Sequence, residues 1–224
     1  MTIKVKRYKW DRFNILKIEN DQVAIFVNDD IVKVVKSLNL KDKNVIDGGS
    51  NIGVHSLLFS RCVGKKGKVY AFELQTVICQ IGMENAKLNN KENIIHHNKA
   101  LSDKSGQTVG FTEIDYVGEH ISSGGVRTEV SLCGQIHCGR IETIAIDDMN
   151  IENVGLIKLD LEGNEPKALD GMWQTIDKNK PCLIIELSPG YLLEGKDKET
   201  IDKIISHGYK VTELGGFNYF FEPI

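Results

Sequence analysis

Val45-Ile46-Asp47-Gly48-Gly49-Ser50-Asn51-Ile52-Gly53 is the stretch that decides the fold. A short apolar run ends on an acid, two glycines follow at once, and Gly53 opens a helical pattern over 53–63. That order reads as a strand, a tight loop and a helix start, where backbone can approach a ligand closely. Outward from it, strand and helix patterns alternate. Strands are expected at Asn44–Asp47, Lys68–Glu73, Ile94–Leu101, Val154–Asp160, Cys182–Leu187, Lys210–Glu213 and Tyr219–Glu222, and helices over 53–63, 76–89, 165–178 and 197–207. Such alternation predicts an α/β fold with a doubly wound, mostly parallel sheet.

Residues 1–40 read as an N-terminal appendage and 41–224 as the main domain. In the appendage, 13–19 and 22–27 are rich in β-branched and aromatic residues, so a hairpin is expected with Asn20-Asp21 as its turn. Asp29 or Asp30 is expected to cap a helix through Leu38, with Ile31, Val34, Val35 and Leu38 on one face. A glycine-rich insert near 109–146 is expected to form a lid or substrate wall, with strands at Val109–Thr112 and Glu142–Ile146.

Hydrophobic residues make up 41% of the chain, enough to bury a core. The 28 basic and 31 acidic residues nearly balance, which argues against a nucleic-acid partner. No apolar run reaches the length of a membrane span, and the first ten residues lack the apolar stretch of a signal peptide. Five scattered cysteines, an odd number, read as reduced thiols in a cytoplasmic protein. Cys133 and Cys138, with His137 between them, read as loop or core residues, since no second pair sits at zinc-finger spacing.

Glu73 ends the next expected strand, where an acid can accept both hydroxyls of an adenosyl ribose. NAD and S-adenosylmethionine both present such a ribose. Ser50 stands where the second glycine of a pyrophosphate loop belongs, and Asp47 directly precedes the loop. A carboxylate there repels a pyrophosphate but attracts a sulfonium and an ammonium, which favours S-adenosylmethionine.

A second acidic run, Asp160-Leu161-Glu162-Gly163-Asn164-Glu165-Pro166, ends another strand and opens a helix. Asn164 suits an N-cap, Pro166 the first turn, and Glu165 the positive end of the helix dipole. Asp160, Glu162 and Glu186 are expected around one crevice, because the carboxyl ends of parallel strands share an edge. Carboxylates so gathered need a proton, a basic substrate or a cation. As a general base they would take a proton from an alcohol; as oxygen ligands, Asp160 and Glu186 would suit Mg²⁺ or Mn²⁺. His120, in the insert, is a further candidate base.

The run VIDGGSNIGVHSLLFS…GKVYAFELQ…NAKLNN…ALSDKSG…IETIAIDDMN…GLIKLDLEGNEPKALDG…PCLIIEL resembles the FkbM family of methyltransferases over roughly 44–188. The resemblance implies a Rossmann-like class I methyltransferase fold with a seven-stranded sheet. By position, Asp47, Gly48, Gly49, Ser50, Asn51 and Gly53 resemble the cofactor loop, Glu73 with Leu74 the ribose side, and Lys99 and Ala100 the adenine border. Asp160, Glu162 and Gly163 resemble the D-x-E-G signature, and Glu186 its later strand-end acid. Leu74 replaces a common proline, and Gly49-Ser50 a common Gly-Ala. A hydroxyl acceptor on a sugar, glycan or other small molecule is implied. Methylation of nitrogen or carboxylate, and a non-catalytic nucleoside-binding module, are the alternatives.

Overall fold

A hairpin of β1 (Val5–Trp10) and β2 (Phe13–Ile18) leads into α1 (Asp29–Ser37) in the computed structural model, which describes residues 3–19, 21, 27–114, 116, 138–189 and 195–224. The hairpin differs from the expected one. β2 pairs antiparallel with the strand before it, Trp10 opposite Phe13, and Asp11 takes the positive φ of 50° that the turn needs. Most of the expected strand 22–27 lies outside the described residues. α1 is capped one residue earlier than expected: Asn28 Oδ1 accepts the Asp30 N–H at 2.8 Å, leaving Asp29 and Asp30 to the first turn.

The alternating pattern then appears as β3 (Asn44–Gly48), α2 (Val54–Val63), β4 (Val69–Phe72), α3 (Thr76–Leu88) and β5 (Ile94–His97). β5 stops short of the expected Leu101. Asn98 turns the chain there, its amide donating to the carbonyls of Glu73 (2.8 Å) and Leu74 (3.0 Å). The next two residues become β6 (Ala100–Leu101), which joins β7 (Thr108–Thr112) and β8 (Cys138–Ile144) in a separate three-stranded sheet of order β6-β8-β7.

After a 3₁₀ turn at Ile146–Met149 come β9 (Val154–Leu159), α4 (Glu165–Asp170), α5 (Trp173–Asn179), β10 (Cys182–Glu186), α6 (Lys196–Ser206), β11 (Tyr209–Gly215) and β12 (Asn218–Pro223). The helix expected over 165–178 is two helices. A Cβ on Gly171 would come within 2.1 Å of the Ser102 carbonyl, so this contact admits only glycine, and α4 ends there.

The main sheet has seven strands in the order β11-β12-β10-β9-β3-β4-β5. β10, β9, β3, β4 and β5 are parallel, and β12 runs antiparallel to both β10 and β11. This is the expected doubly wound, Rossmann-like sheet, with chain order reversing between β3 and β9. Buried residues gather in two clusters. One includes Val45, Leu57, Leu58 and Phe59 with Ile15, Ile18 and Val35 of the N-terminal elements. The other includes Ile46, Ile157, Leu159 and Leu169. Adjacent Val45 and Ile46 fall in different clusters because successive strand side chains point to opposite faces. Among the described residues, no helix is long and apolar enough to cross a membrane.

Candidate cofactor and catalytic site

Parallel register brings the strand ends side by side. Gly48 lies opposite Phe72 of β4 and Leu159 of β9, and Leu159 lies opposite Ile185 of β10. One residue further on, Gly49, Glu73, Asp160 and Glu186 therefore emerge together at the carboxyl edge, astride the reversal between β3 and β9. The same register sets Asp47 opposite Lys158, and strand alternation turns Lys158, Asp160 and Glu186 to the face of Asp47.

The glycine loop is built for close approach. Gly49 has φ 70°, and a Cβ on it would lie 1.8 Å from the Asp160 carbonyl oxygen. Gly49 and Ser50 donate their N–H groups to the Phe72 carbonyl at 3.0 and 2.9 Å, folding the loop over β4. Gly53, at φ 84°, caps α2. Glu73 is tied to this loop by the Asn51 N–H, which donates to Oε2 at 3.0 Å, and it also accepts the Gln75 N–H on Oε1 at 2.8 Å. Burial pushes the Glu73 pKa up to about 7, although both N–H groups and Lys158 favour its charged form.

Lys158 is the charged residue that sequence reasoning passed over. It is only 2% exposed, and its Nζ donates to Asp160 Oδ2 at 3.1 Å. Burial works against its charge, but Asp160 and Asp47 outweigh burial and raise its pKa. Asp47 is fully buried and accepts a 2.5 Å hydrogen bond from Ser56 Oγ. Burial raises its pKa, and Lys158 is the chief opposing influence. The signal for Lys158 was present: one charge inside the apolar run Leu156-Ile157-Lys158-Leu159 demands a buried partner.

Asp160 and Glu186 are hydrogen-bonded to each other. Burial, then the contact with Asp160, pushes the Glu186 pKa up to about 9. Burial opposes ionisation of Asp160 too, but Lys158 and the Glu186 hydrogen bond overcome it and hold the Asp160 pKa below normal. The two shifts run in opposite directions, so the pair favours holding one proton, with the negative charge on the Asp160 side beside Lys158. An ammonium and a proton compensate the charges of Asp160 and Glu186, the two residues expected to suit Mg²⁺ or Mn²⁺. Among the described residues, no group of three His, Cys, Asp or Glu is placed to hold a metal ion.

Glu162 follows in a left-handed conformation (φ 54°), half-buried in the turn after Asp160. Glu165 does more than face a helix dipole. Its buried carboxylate reaches back to accept the N–H groups of Leu161 (2.5 Å) and Gly163 (3.0 Å), fastening the acidic turn. Asn164 is not a side-chain cap as expected; its amide donates instead to the Leu101 carbonyl at 2.8 Å. Leu74 is half-buried beside Glu73. Ala100 is buried in β6, and Lys99 pairs with Glu142 of β8 at 2.7 Å. His120 lies outside the described residues.

The residues present fit S-adenosylmethionine. Asp47 Oδ1 and Ser50 Oγ, both buried at the loop, have no hydrogen-bond partner among the described residues and keep capacity for a polar, cationic ligand. Glu73 accepts one backbone N–H on each oxygen, leaving lone pairs for two hydroxyls.

Residues 47–211 match the Methyltransferase FkbM domain. No curated protein matches the sequence. Among solved structures, the chain is similar to a methyltransferase FkbM from Methylobacillus flagellatus KT, with TM-score 0.58 and 18% identity over 83% of this chain and 45% of that one. It is similar to a SAM-dependent O-methyltransferase from Thermotoga maritima, with TM-score 0.55 and 14% identity over 91% of this chain and 68% of that one. It also resembles Aeropyrum pernix fibrillarin in complex with natively bound S-adenosyl-L-methionine, with TM-score 0.51 and 10% identity over 98% and 99% of the two chains. The chain spans less than half the length of the Methylobacillus protein. At these identities the likenesses show the class I methyltransferase fold. The domain match runs from Asp47 through Val211, taking in the glycine loop, Glu73, the acidic turn and Glu186, and by it this chain belongs to the FkbM methyltransferase family.

Proposed function

We propose that the chain is an S-adenosylmethionine-dependent O-methyltransferase acting on a hydroxyl of a sugar, glycan or related small molecule. The observation that carries this reading is Asp160, held by the ammonium of buried Lys158 at 3.1 Å and set beside Glu186 at the carboxyl edge of the sheet. When bound, S-adenosylmethionine supplies an electrophilic methyl group whose bond to sulfur breaks with both electrons staying on sulfur. Glu73 accepts the ribose hydroxyls, Asp47 faces the cationic end, and Leu74, Lys99 and Ala100 border the adenine. Asp160 takes the acceptor's hydroxyl proton as the new carbon–oxygen bond forms. An alcohol oxygen becomes strongly acidic as it is alkylated, so a carboxylate of depressed pKa is basic enough. Lys158 keeps that carboxylate charged, protonated Glu186 holds it in place, and Glu162 flanks the acceptor.

The free thiols Cys62, Cys79 and Cys182 support placing the enzyme in a reducing cytoplasm. A screen of sugars, glycans and small alcohols with methyl-labelled donor tests the acceptor class. The expected product carries label in an ether that survives mild base. Label released by base, or found only on amines, would favour carboxyl or nitrogen methylation instead.

A further inference from the structure

Asn85 of helix α3 and Asn89, the residue that caps its C-terminus, lie one turn apart, with both amides turned toward β2. Positions i and i+4 of a helix rise ~6 Å, and positions i and i+2 of a strand span ~6.7 Å, so the two amides match alternate residues of β2. Asn89 accepts the Asn14 N–H at 2.9 Å and donates to the Asn14 carbonyl at 2.7 Å. Asn85 does the same to Leu16, at 2.6 and 3.0 Å. Together they do for this edge of β2 what a neighbouring strand would.

Asn85 does something that Asn89 does not. Its Nδ2 also donates to the Ile52 carbonyl at 2.9 Å. Ile52 directly precedes Gly53, the N-cap of α2, so its carbonyl lies outside the helix's own hydrogen bonds. Asn85 and Ile52 are both 0% exposed, so water cannot replace this bond. The preceding residue, Asn51, donates its N–H to Glu73. One buried amide therefore joins the N-terminal hairpin, α3 and the loop whose backbone orients the ribose acid.

We propose that Asn85 is a positioning residue for the cofactor loop, and that through it the hairpin belongs to the frame of the cofactor site. This inference rests on the cofactor assignment. Asn85→Ala and Asn89→Ala each remove an amide from β2, but only Asn85→Ala also releases the glycine loop. The test compares their dissociation constants for S-adenosylhomocysteine, by calorimetry on the full chain well below its unfolding temperature. Asn89→Ala loses thermal stability but keeps the wild-type constant within about twofold, whereas Asn85→Ala weakens binding about tenfold, the scale of one buried hydrogen bond. Should Asn85→Ala not fold, Asn85→Ser, too short to span Leu16 and Ile52 together, is expected to show the same weakening. Equal constants for the Asn85 and Asn89 variants would overturn the proposal. No binding by the wild-type chain would overturn the cofactor assignment, and the proposal with it.

Discussion

Gly49 and Asp160 touch backbone to backbone: a Cβ on Gly49 would come within 1.8 Å of the Asp160 carbonyl oxygen. The glycine loop and the acidic turn are thus seated on each other. Gly49 also holds φ 70°, where a side chain is strained. Gly49→Ala is expected to cost about 2 kcal/mol or more of stability through clash and backbone strain. Chemical denaturation measures that cost, and a loss near zero would show that the two segments can separate freely.

Lys158 stands beside Asp47 and Asp160 and is the strongest influence favouring the charged form of each. Lys158→Met keeps the length of the side chain but removes the charge from beside Asp47 and Asp160. Breaking a buried ion pair by deleting one partner costs about 3–5 kcal/mol. Urea unfolding of Lys158→Met is expected to show a loss of that size, and a much smaller one would mean that the carboxylates are already neutral.

In its proposed role as the ribose acid, Glu73 would make donor binding depend on pH. Burial first, opposed by the Gln75 and Asn51 N–H groups, places its pKa at about 7. In that role the ionised carboxylate would accept the ribose hydroxyls, so affinity is expected to fall as pH drops and the acid takes a proton. S-adenosylhomocysteine is expected to bind about tenfold more weakly at pH 6 than at pH 8. Glu73→Gln is expected to bind weakly and with no such trend, as titration calorimetry across that range would record.

Glu186 links stability to pH in a definite sense. Its pKa rises on folding from 4.5 to about 9, through burial and then through Asp160. Between those values the folded chain keeps a proton that the unfolded chain has lost. Its contribution is full below the lower value and drains away as pH rises to the upper one. Glu186→Gln keeps a donor for Asp160 but cannot titrate. Melting temperatures of this variant are expected to fall less between about pH 5 and about pH 9 than those of wild type.

Local sequence made much of this legible. The order apolar run, acid, two glycines and helix announced β3, its loop and α2, because each depends on neighbours in the chain. The strand-end acids Glu73, Asp160 and Glu186 were readable for the same reason: parallel register gathers strand ends at one edge. What escaped depends on residues far apart in sequence. Asn85 meets its β2 partner 69 positions away, so nothing near it signals the contact. Gly171 ends α4 because of Ser102, and Asn98 ends β5 because of the loop after Glu73. Lys158 lay in plain view, but inside an apolar strand its meaning emerged only when Asp47 was set opposite it.

The most direct test of the central claim is calorimetry of the purified chain with S-adenosylhomocysteine, beside Glu73→Ala. The account predicts saturable binding at one site, weakened in the variant by about 1–3 kcal/mol through lost charged hydrogen bonds. No heat and no thermal shift at high ligand concentration, or equal affinity in both proteins, would contradict it.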